Sequence, residues 1–319
     1  MSFSEIPVID LQGLESPARL PAIASEISAA LKDTGFMYVE NHGIAASTIK
    51  KLRQSQRDFF SQAVEKKQLV AINTDNRGYL GHGEARMHGA KKYDQKEVFF
   101  WGAELAEDHP DRINQVPLCG ANQWPAEPQE FKSNVQAYAQ EIAELGNRLL
   151  QAIALALEID QQFFTRHYRS PMTRGQLIRY PPTEGGQDDF GVAPHSDFGC
   201  ITLLLQETPG LEVLDKSGQW IAAPPIDGTL VINIGDLLER WTDGRLPSTR
   251  HRVRNSSGAE RYSIAMFHDP DPTALIDPNE MQSNSSQFEA VRAADYISGR
   301  NRGAFAHFGE ISKRTDQTS

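Results

Sequence analysis

The chain has 319 residues, 39% hydrophobic and 23% charged, with a net charge of −10. That is the composition of a water-soluble globular protein, long enough for one large domain or two. The acidic balance and the lack of a Lys/Arg block exclude nucleic acid and anionic membranes as expected partners, and no apolar run approaches a membrane span.

Cys119 and Cys200 are the only cysteines. Two cysteines in a chain of this size make no disulfide framework, which points to a reducing compartment. The N-terminal stretch "MSFSEIPVIDLQGLESP" has no basic region followed by an apolar core. A cytoplasmic protein is expected, with the sequons at Asn255 and Asn284 incidental.

In chain order, "IPVIDL" reads as a short strand. Residues 17–32 read as a helix, with Leu20, Ile23, Ile27 and Leu31 at helical spacing. "GFMYVENHGI" is a strand between Gly35 and Gly43, and Ser47 to Lys67 a second helix. Residues 70–125 look irregular, with "NRGYLGHGEARMHG" dense in glycine. A long helix is expected over 127–157, where Val135, Tyr138, Ile142, Leu145, Leu149, Ile153 and Leu157 form one apolar stripe. From Gln176 to Phe267 the pattern changes to short apolar runs cut by Gly, Pro and Asp: "QLIRYPP", "CITLLLQ", "GLEVLD", "QWIAAPP", "TLVINIGD", "HRVRN" and "RYSIAMFH". "DKSG" between two of them reads as a hairpin turn. Such runs predict an antiparallel sandwich or barrel, and residues 287–299 a last helix. The expected fold is mainly β with flanking helices. It is one domain, 1–319, because no linker interrupts it: a helix/strand region over 1–125, a long helix over 126–175, a β core over 176–270, and a helical segment and tail over 271–319.

The chemistry is concentrated in the β core. In "PHSDFG", His195 and Asp197 are two apart, and a strand turns such residues to one face. Alone, an H-x-D pair is as readily a polar turn as half a metal site. His251 in "STRHRVRN" offers a third ligand. Two imidazoles and one carboxylate leave three adjacent positions open on an octahedral metal, a set suited to non-haem Fe(II) and O2. Zinc can use the same side chains, although structural zinc favours closed, cysteine-rich shells. Of the nine histidines, His42 and His109 read as turn or loop residues, while His82 and His88 sit in the glycine-rich loop.

Beyond His251, Arg261 and Ser263 again share one strand face. A guanidinium fork and a hydroxyl make a carboxylate clamp; the plainer reading of Arg261 is a structural ion pair. Tyr180 in "IRYPP" adds a phenol that can donate to the same carboxylate.

With these residues in place, the sequence resembles the Fe(II)/2-oxoglutarate-dependent dioxygenases of the isopenicillin N synthase-like superfamily. "IPVIDL" and "TGFMYVENHGI" resemble the family's N-terminal region, and "QKEVFFWG" and "NQWP" its middle segment. "RYPP", "PHSDFG", "ITLLLQ", "GLEVL", "INIGD", "STRHRV" and "RYSIAMF" resemble its catalytic core in order and spacing. The resemblance implies a double-stranded β-helix (jelly-roll) core, with Fe(II) on His195, Asp197 and His251. It implies that Arg261 and Ser263 hold the distal carboxylate of 2-oxoglutarate, with Tyr180 assisting. O2 is then the oxidant, ascorbate a candidate reductant, and hydroxylation, desaturation or cyclisation of a small molecule the outcome. Two alternatives share this clamp: an isopenicillin N synthase-like oxidase that uses O2 without 2-oxoglutarate, and a non-catalytic small-acid-binding module. The chain departs from the family's "NYYP"-like segment, carrying Ile178-Arg179-Tyr180-Pro181 instead. Expected substrate contacts are Arg77, Tyr79, His82 and Arg86 in the glycine-rich loop, together with Arg179, Phe198 and Phe267. The basic groups among them hint at a carboxylate-bearing substrate.

Overall fold

A computed structural model of the protein describes residues 5–85, 90–183, 190–255, 258–281 and 286–304. In chain order the elements are β1 (Val8–Asp10), α1 (Leu20–Thr34), β2 (Phe36–Glu40), α2 (Ala46–Phe60), α3 (Val64–Gln68), β3 (Gly78–Leu80), β4 (Glu97–Gly102), α4 (Pro110–Ile113) and α5 (Phe131–Ala156). There follow β5 (Arg174–Tyr180), β6 (Val192–His195), β7 (Ile201–Gln206), β8 (Leu211–Leu214), β9 (Trp220–Ala222), β10 (Leu230–Ile234), α6 (Asp236–Trp241), β11 (His251–Val253) and β12 (Arg261–His268). A small hairpin of β13 (Leu275–Ile276) and β14 (Val291–Arg292) precedes α7 (Ala293–Ala304).

Two sheets face each other. The larger has the order β1-β2-β10-β7-β12-β5-β4-β3 and the smaller β6-β11-β8-β9. From β5 to β12 the chain passes between the two sheets, the winding of a jelly roll. Strand alternation divides the large sheet into two chemistries. Leu177, Ile201, Leu203, Leu205, Ile232, Ile264 and Met266 face one way and pack under the helices α1, α2 and α5. Gln176, Ile178, Tyr180, Thr202, Leu204, Asn233, Arg261, Ser263, Ala265 and Phe267 face the other, toward the small sheet and the cavity between the two. The cavity-lining residues of the large sheet are thus the inward half of strands whose outward half is anchored in a helix-covered core.

All seven apolar runs of the second half form strands, and "DKSG" forms the expected turn: the Asp215 carboxylate accepts from Ser217 N and Gln219 N, and Gly218 takes φ +85°. The helix expected over 47–67 breaks after Phe60 and restarts as α3. The segment expected to be irregular carries β3 and β4, and β4 is buried along its whole length. Its run "EVFFWG" lacks polar alternation because both faces are covered, the condition under which periodicity fails to mark a strand. The last helix starts at Ala293 rather than near 287. His42 is the expected turn residue, its Nδ1 accepting from Ile44 N, whereas His109 caps α4 through Asp111 N rather than lying free in a loop. Asn284, His88 and Arg86 lie outside the described residues.

Candidate active site

His195 ends β6 and His251 begins β11, and the two residues face each other directly across the antiparallel pair. Their rings sit 4.3 Å apart between centroids. Asp197 is not on the strand, as the i, i+2 reading expected; it lies just beyond it, in a loop held by the start of α6. The peptide N–H groups of Gly235, Asp236 and Leu237 donate to the carbonyls of Cys200, Asp197 and Gly199. Donors that a helix start leaves unpaired therefore fix the loop. Gly235 makes this possible, since a Cβ there would meet Gly199 O at 2.3 Å. Gly199 is equally constrained: a Cβ would fall 1.9 Å from Asp269 Oδ1, the oxygen that accepts from Cys200 N.

The three side chains bring one potential ligand atom each within 4.8 Å of one another, and among the described residues they form the cluster that could hold a metal ion. Each imidazole presents Nδ1 to a carbonyl, His195 to Ala193 O at 2.9 Å and His251 to Thr249 O at 3.2 Å. That places the ring proton on Nδ1 and leaves the Nε2 lone pair free, the tautomer a metal requires. Asp197 Oδ2 accepts from Thr202 Oγ1 at 2.6 Å and Asn233 Nδ2 at 2.8 Å. Its other oxygen, Oδ1, stands 3.7 Å from His195 Nε2 and 3.6 Å from His251 Nε2, too far to hydrogen-bond either. Two lone pairs and a carboxylate oxygen converge with no proton between them, which is the arrangement a divalent cation satisfies. Burial, then His251, drives His195 well below the usual imidazole range, so the ring is neutral. Burial alone would raise Asp197, but its pKa lies below the usual carboxylate value; with the imidazoles neutral, the Asn233 and Thr202 hydrogen bonds are what favour the ionised form. The donor set fits Fe(II): two neutral nitrogens, one anionic oxygen, and no sulfur.

Arg261 begins β12 directly opposite Tyr180 on β5, and Ser263 stands opposite Gln206 on β7. Arg261 is 1% exposed. Its Nη1 donates to Ser263 Oγ at 3.2 Å, its Nη2 to Gln206 Oε1 at 3.3 Å, and its guanidinium lies 4.6 Å from the Tyr180 ring centroid. Nε has no hydrogen-bond partner, and no carboxylate among the described residues lies within 4 Å. Among the described residues, Arg261 therefore has no structural ion pair. A buried cation without an anion is costly, and burial presses the Arg261 pKa below its usual value, with Tyr180 opposing. An anionic ligand in the cavity removes that cost.

The triad and the clamp line one cavity between the sheets, of about 120 Å³. Phe198 and Phe267 line it too, as expected. Of the other expected substrate contacts, Arg77, Tyr79, His82 and Arg179 do not line it, and Arg86 lies outside the described residues. Arg179 follows Ile178 and precedes Tyr180, so alternation sends it to the opposite sheet face, where it pairs with Glu97 and Glu260. Tyr79 points the same way, into the core, and donates to Glu97 Oε2 at 2.6 Å. Arg77 is buried and spends its guanidinium on the carbonyls of Asp75, Asn76 and Leu118. His82 is exposed on a turn and absent from the lining. In their place the cavity is lined by Asn76, Leu80, Lys96, Phe100, Arg174 and Asn301. Asn76 Oδ1 and Asn301 Nδ2 are buried without partners. Parity along "QKEVFFWG" marks Lys96, because it shares a face with Val98 and Phe100 once β4 is recognised. No local pattern marked Asn301, which arrives from α7.

Residues 6–127 match the family described as non-haem dioxygenase in morphine synthesis N-terminal, and residues 160–270 the 2OG-Fe(II) oxygenase superfamily. The chain is 33% identical to the 2-oxoglutarate-dependent dioxygenase caaD of Aspergillus niger, over 89% of this chain and 90% of the relative. It is 30% identical to the homoarginine-6-hydroxylase 2-ODD-C23 of Glycine max, over 93% and 96%. Among solved structures it resembles a full-length Neurospora crassa protein in complex with alpha-KG and thymine, with a TM-score of 0.81, 27% identity, and 93% and 96% of the two chains covered. Among the described residues, no helix is long and apolar enough to cross a membrane.

Proposed function

The chain belongs to the 2OG-Fe(II) oxygenase superfamily and is an Fe(II)- and 2-oxoglutarate-dependent oxidoreductase acting on a small molecule, and from that premise we propose which of its residues do the work. His195 and His251 bind Fe(II) through Nε2, and Asp197 binds it through Oδ1. Arg261 and Ser263 hold the distal carboxylate of 2-oxoglutarate, with Tyr180 beneath the guanidinium. The observation that carries this is the pairing, in one cavity, of a proton-free three-donor cluster with a buried guanidinium that has no anionic partner among the described residues.

When bound, Fe(II) supplies O2 activation coupled to the oxidative decarboxylation of 2-oxoglutarate to succinate and CO2, with the second oxygen atom available to oxidise the substrate. The chain supplies the rest. Ala193 O and Thr249 O keep the imidazoles turned to the centre, and Thr202 and Asn233 keep Asp197 from rotating. Ile178, Leu204, Val253, Phe198 and Phe267 wall the cavity with apolar surface and limit water. This reading sets aside the two alternatives that share the clamp.

The substrate is read as a small molecule bearing a carboxylate. One cation, Lys96, lines the cavity with a single ionic partner among the described residues, Asp94, which is 1% exposed. Homoarginine, named for the Glycine max relative, is an amino acid. The whole chain is read as one domain, since β1–β4 complete the sheet that carries Arg261. The two unpaired cysteines agree with a cytoplasmic location.

The test is to incubate the protein with Fe(II), ascorbate, 2-oxoglutarate and air and to assay succinate. Slow, iron-dependent succinate without added substrate is expected. A complete lack of succinate, with or without small acids, would leave a binding module.

A further inference from the structure

The described residues include several buried cations, and their partners separate them by role. Lys67 is 3% exposed and donates to Glu97 Oε2 at 2.6 Å and Phe60 O at 3.2 Å. Arg174 donates twice to Asp269 Oδ2, at 2.6 and 3.3 Å. Both are satisfied, so their charge is committed to the fold. Arg77 gives its guanidinium to the carbonyls of Asp75, Asn76 and Leu118 and does not line the cavity, and Arg261 faces the co-substrate. Lys96 is left. It is 6% exposed, and it lines the cavity that holds the triad and the clamp. Among the described residues its one ionic partner is Asp94 Oδ2 at 3.2 Å, and that oxygen makes no hydrogen bond. The ammonium is thus buried with its donors short of acceptors among the described residues, a state proteins avoid unless a ligand completes it.

Its position is fixed by the site itself. Asp94 Oδ1 accepts from Ala193 N at 3.2 Å, which ties the Asp94–Lys96 pair to the strand carrying His195. The Lys96 side chain follows the parity of Val98 and Phe100, so it enters between the sheets rather than toward the helices. Lys96, His195 and Asp197 line the same cavity.

We propose that Lys96 is the specificity-determining residue of the cavity: its ammonium binds the carboxylate of the substrate and holds it beside the metal cluster. This rests on the reading above that the cavity oxidises a small acid. The same chemistry could be offered by 2-oxoglutarate, so the test must separate the two sources.

A panel of small carboxylic acids, each paired with its own carboxamide, is scored for acceleration of succinate formation by the parent, Lys96→Met and Arg261→Met proteins. Acids are expected to act on the parent where their amides do not. Lys96→Met should need about 10- to 100-fold more acid for the same acceleration, the value of one to two charge-assisted hydrogen bonds. Its 2-oxoglutarate requirement should rise far less than that of Arg261→Met. Because Lys96→Met strands Asp94, the double variant Asp94→Asn/Lys96→Met repeats the measurement with the pair neutralised. The proposal is overturned if no acid acts on the parent, if acids and amides act alike, or if the Lys96 variants answer acids as the parent does. A rise in 2-oxoglutarate requirement equal to that of Arg261→Met would assign the cation to the co-substrate. Failure of both Lys96 variants to fold would make the pair structural. A parent that forms no succinate refutes the oxygenase reading itself, whereas normal succinate with a silent acid panel refutes only the role of Lys96.

Discussion

Arg261→Met keeps the bulk of the stem and removes the charge. In the folded chain this guanidinium is 1% exposed, with two neutral acceptors, Ser263 Oγ and Gln206 Oε1, and no carboxylate within 4 Å among the described residues. Two consequences follow with opposite signs. A bound carboxylate loses two charge-assisted hydrogen bonds, each worth ~1.5 kcal/mol or more, about 3 kcal/mol together. At ~1.4 kcal/mol per decade the half-saturating 2-oxoglutarate concentration rises about 100-fold. The ligand-free protein, relieved of a buried cation that no described residue neutralises, becomes no less stable than the parent. Succinate formation against 2-oxoglutarate concentration reads the first effect, and a urea melt without ligand reads the second. A variant with the parent's 2-oxoglutarate requirement and a lower urea midpoint would refute the reasoning, because it would make Arg261 a structural residue.

Asn233→Ala removes one of the two donors that hold Asp197 Oδ2, and iron affinity should fall about 10- to 100-fold in an iron titration. Glu97→Gln takes the anion from a buried cluster of Lys67, Tyr79 and Arg179. It should destabilise the fold by about 3 kcal/mol or more in urea, with the 2-oxoglutarate requirement unmoved. Burial holds His42, His167 and His268 below the ordinary histidine range, His268 at about 3. The unfolded chain then takes up protons near pH 6.5 that the folded chain refuses. Stability should therefore be level above about pH 7 and fall as pH drops below that range. A urea midpoint that rises on acidification from about pH 7 to about pH 5 contradicts this.

The strand periods of the second half were legible because one face of each strand packs under helices and the other meets a cavity. Ile201, Leu203 and Leu205 pack in the helix-covered core while Thr202 and Leu204 line the cavity for that reason. That His195 and Asp197, and Arg261 and Ser263, would meet in one place was legible through the spacing of "PHSDFG" and "RYS". β4 was not, because strands covered on both faces lose alternation. The error over Arg179 was avoidable: it neighbours Tyr180 on one strand, and both cannot face the cavity. Arg77 and Tyr79 were read as loop residues free to meet a ligand, but carbonyls and Glu97 already engage them. Asn301 was out of reach because only tertiary packing brings α7 to the cavity.

The most direct measurement is Fe(II) binding to the metal-free parent and to His195→Ala, Asp197→Ala and His251→Ala, with succinate formation followed in the same samples. The parent should bind one iron per chain and turn over 2-oxoglutarate only with iron. His251→Ala should remain folded, bind iron far more weakly and form no succinate. A folded His251→Ala protein that keeps both iron and turnover would remove the His195–Asp197–His251 cluster from the active site.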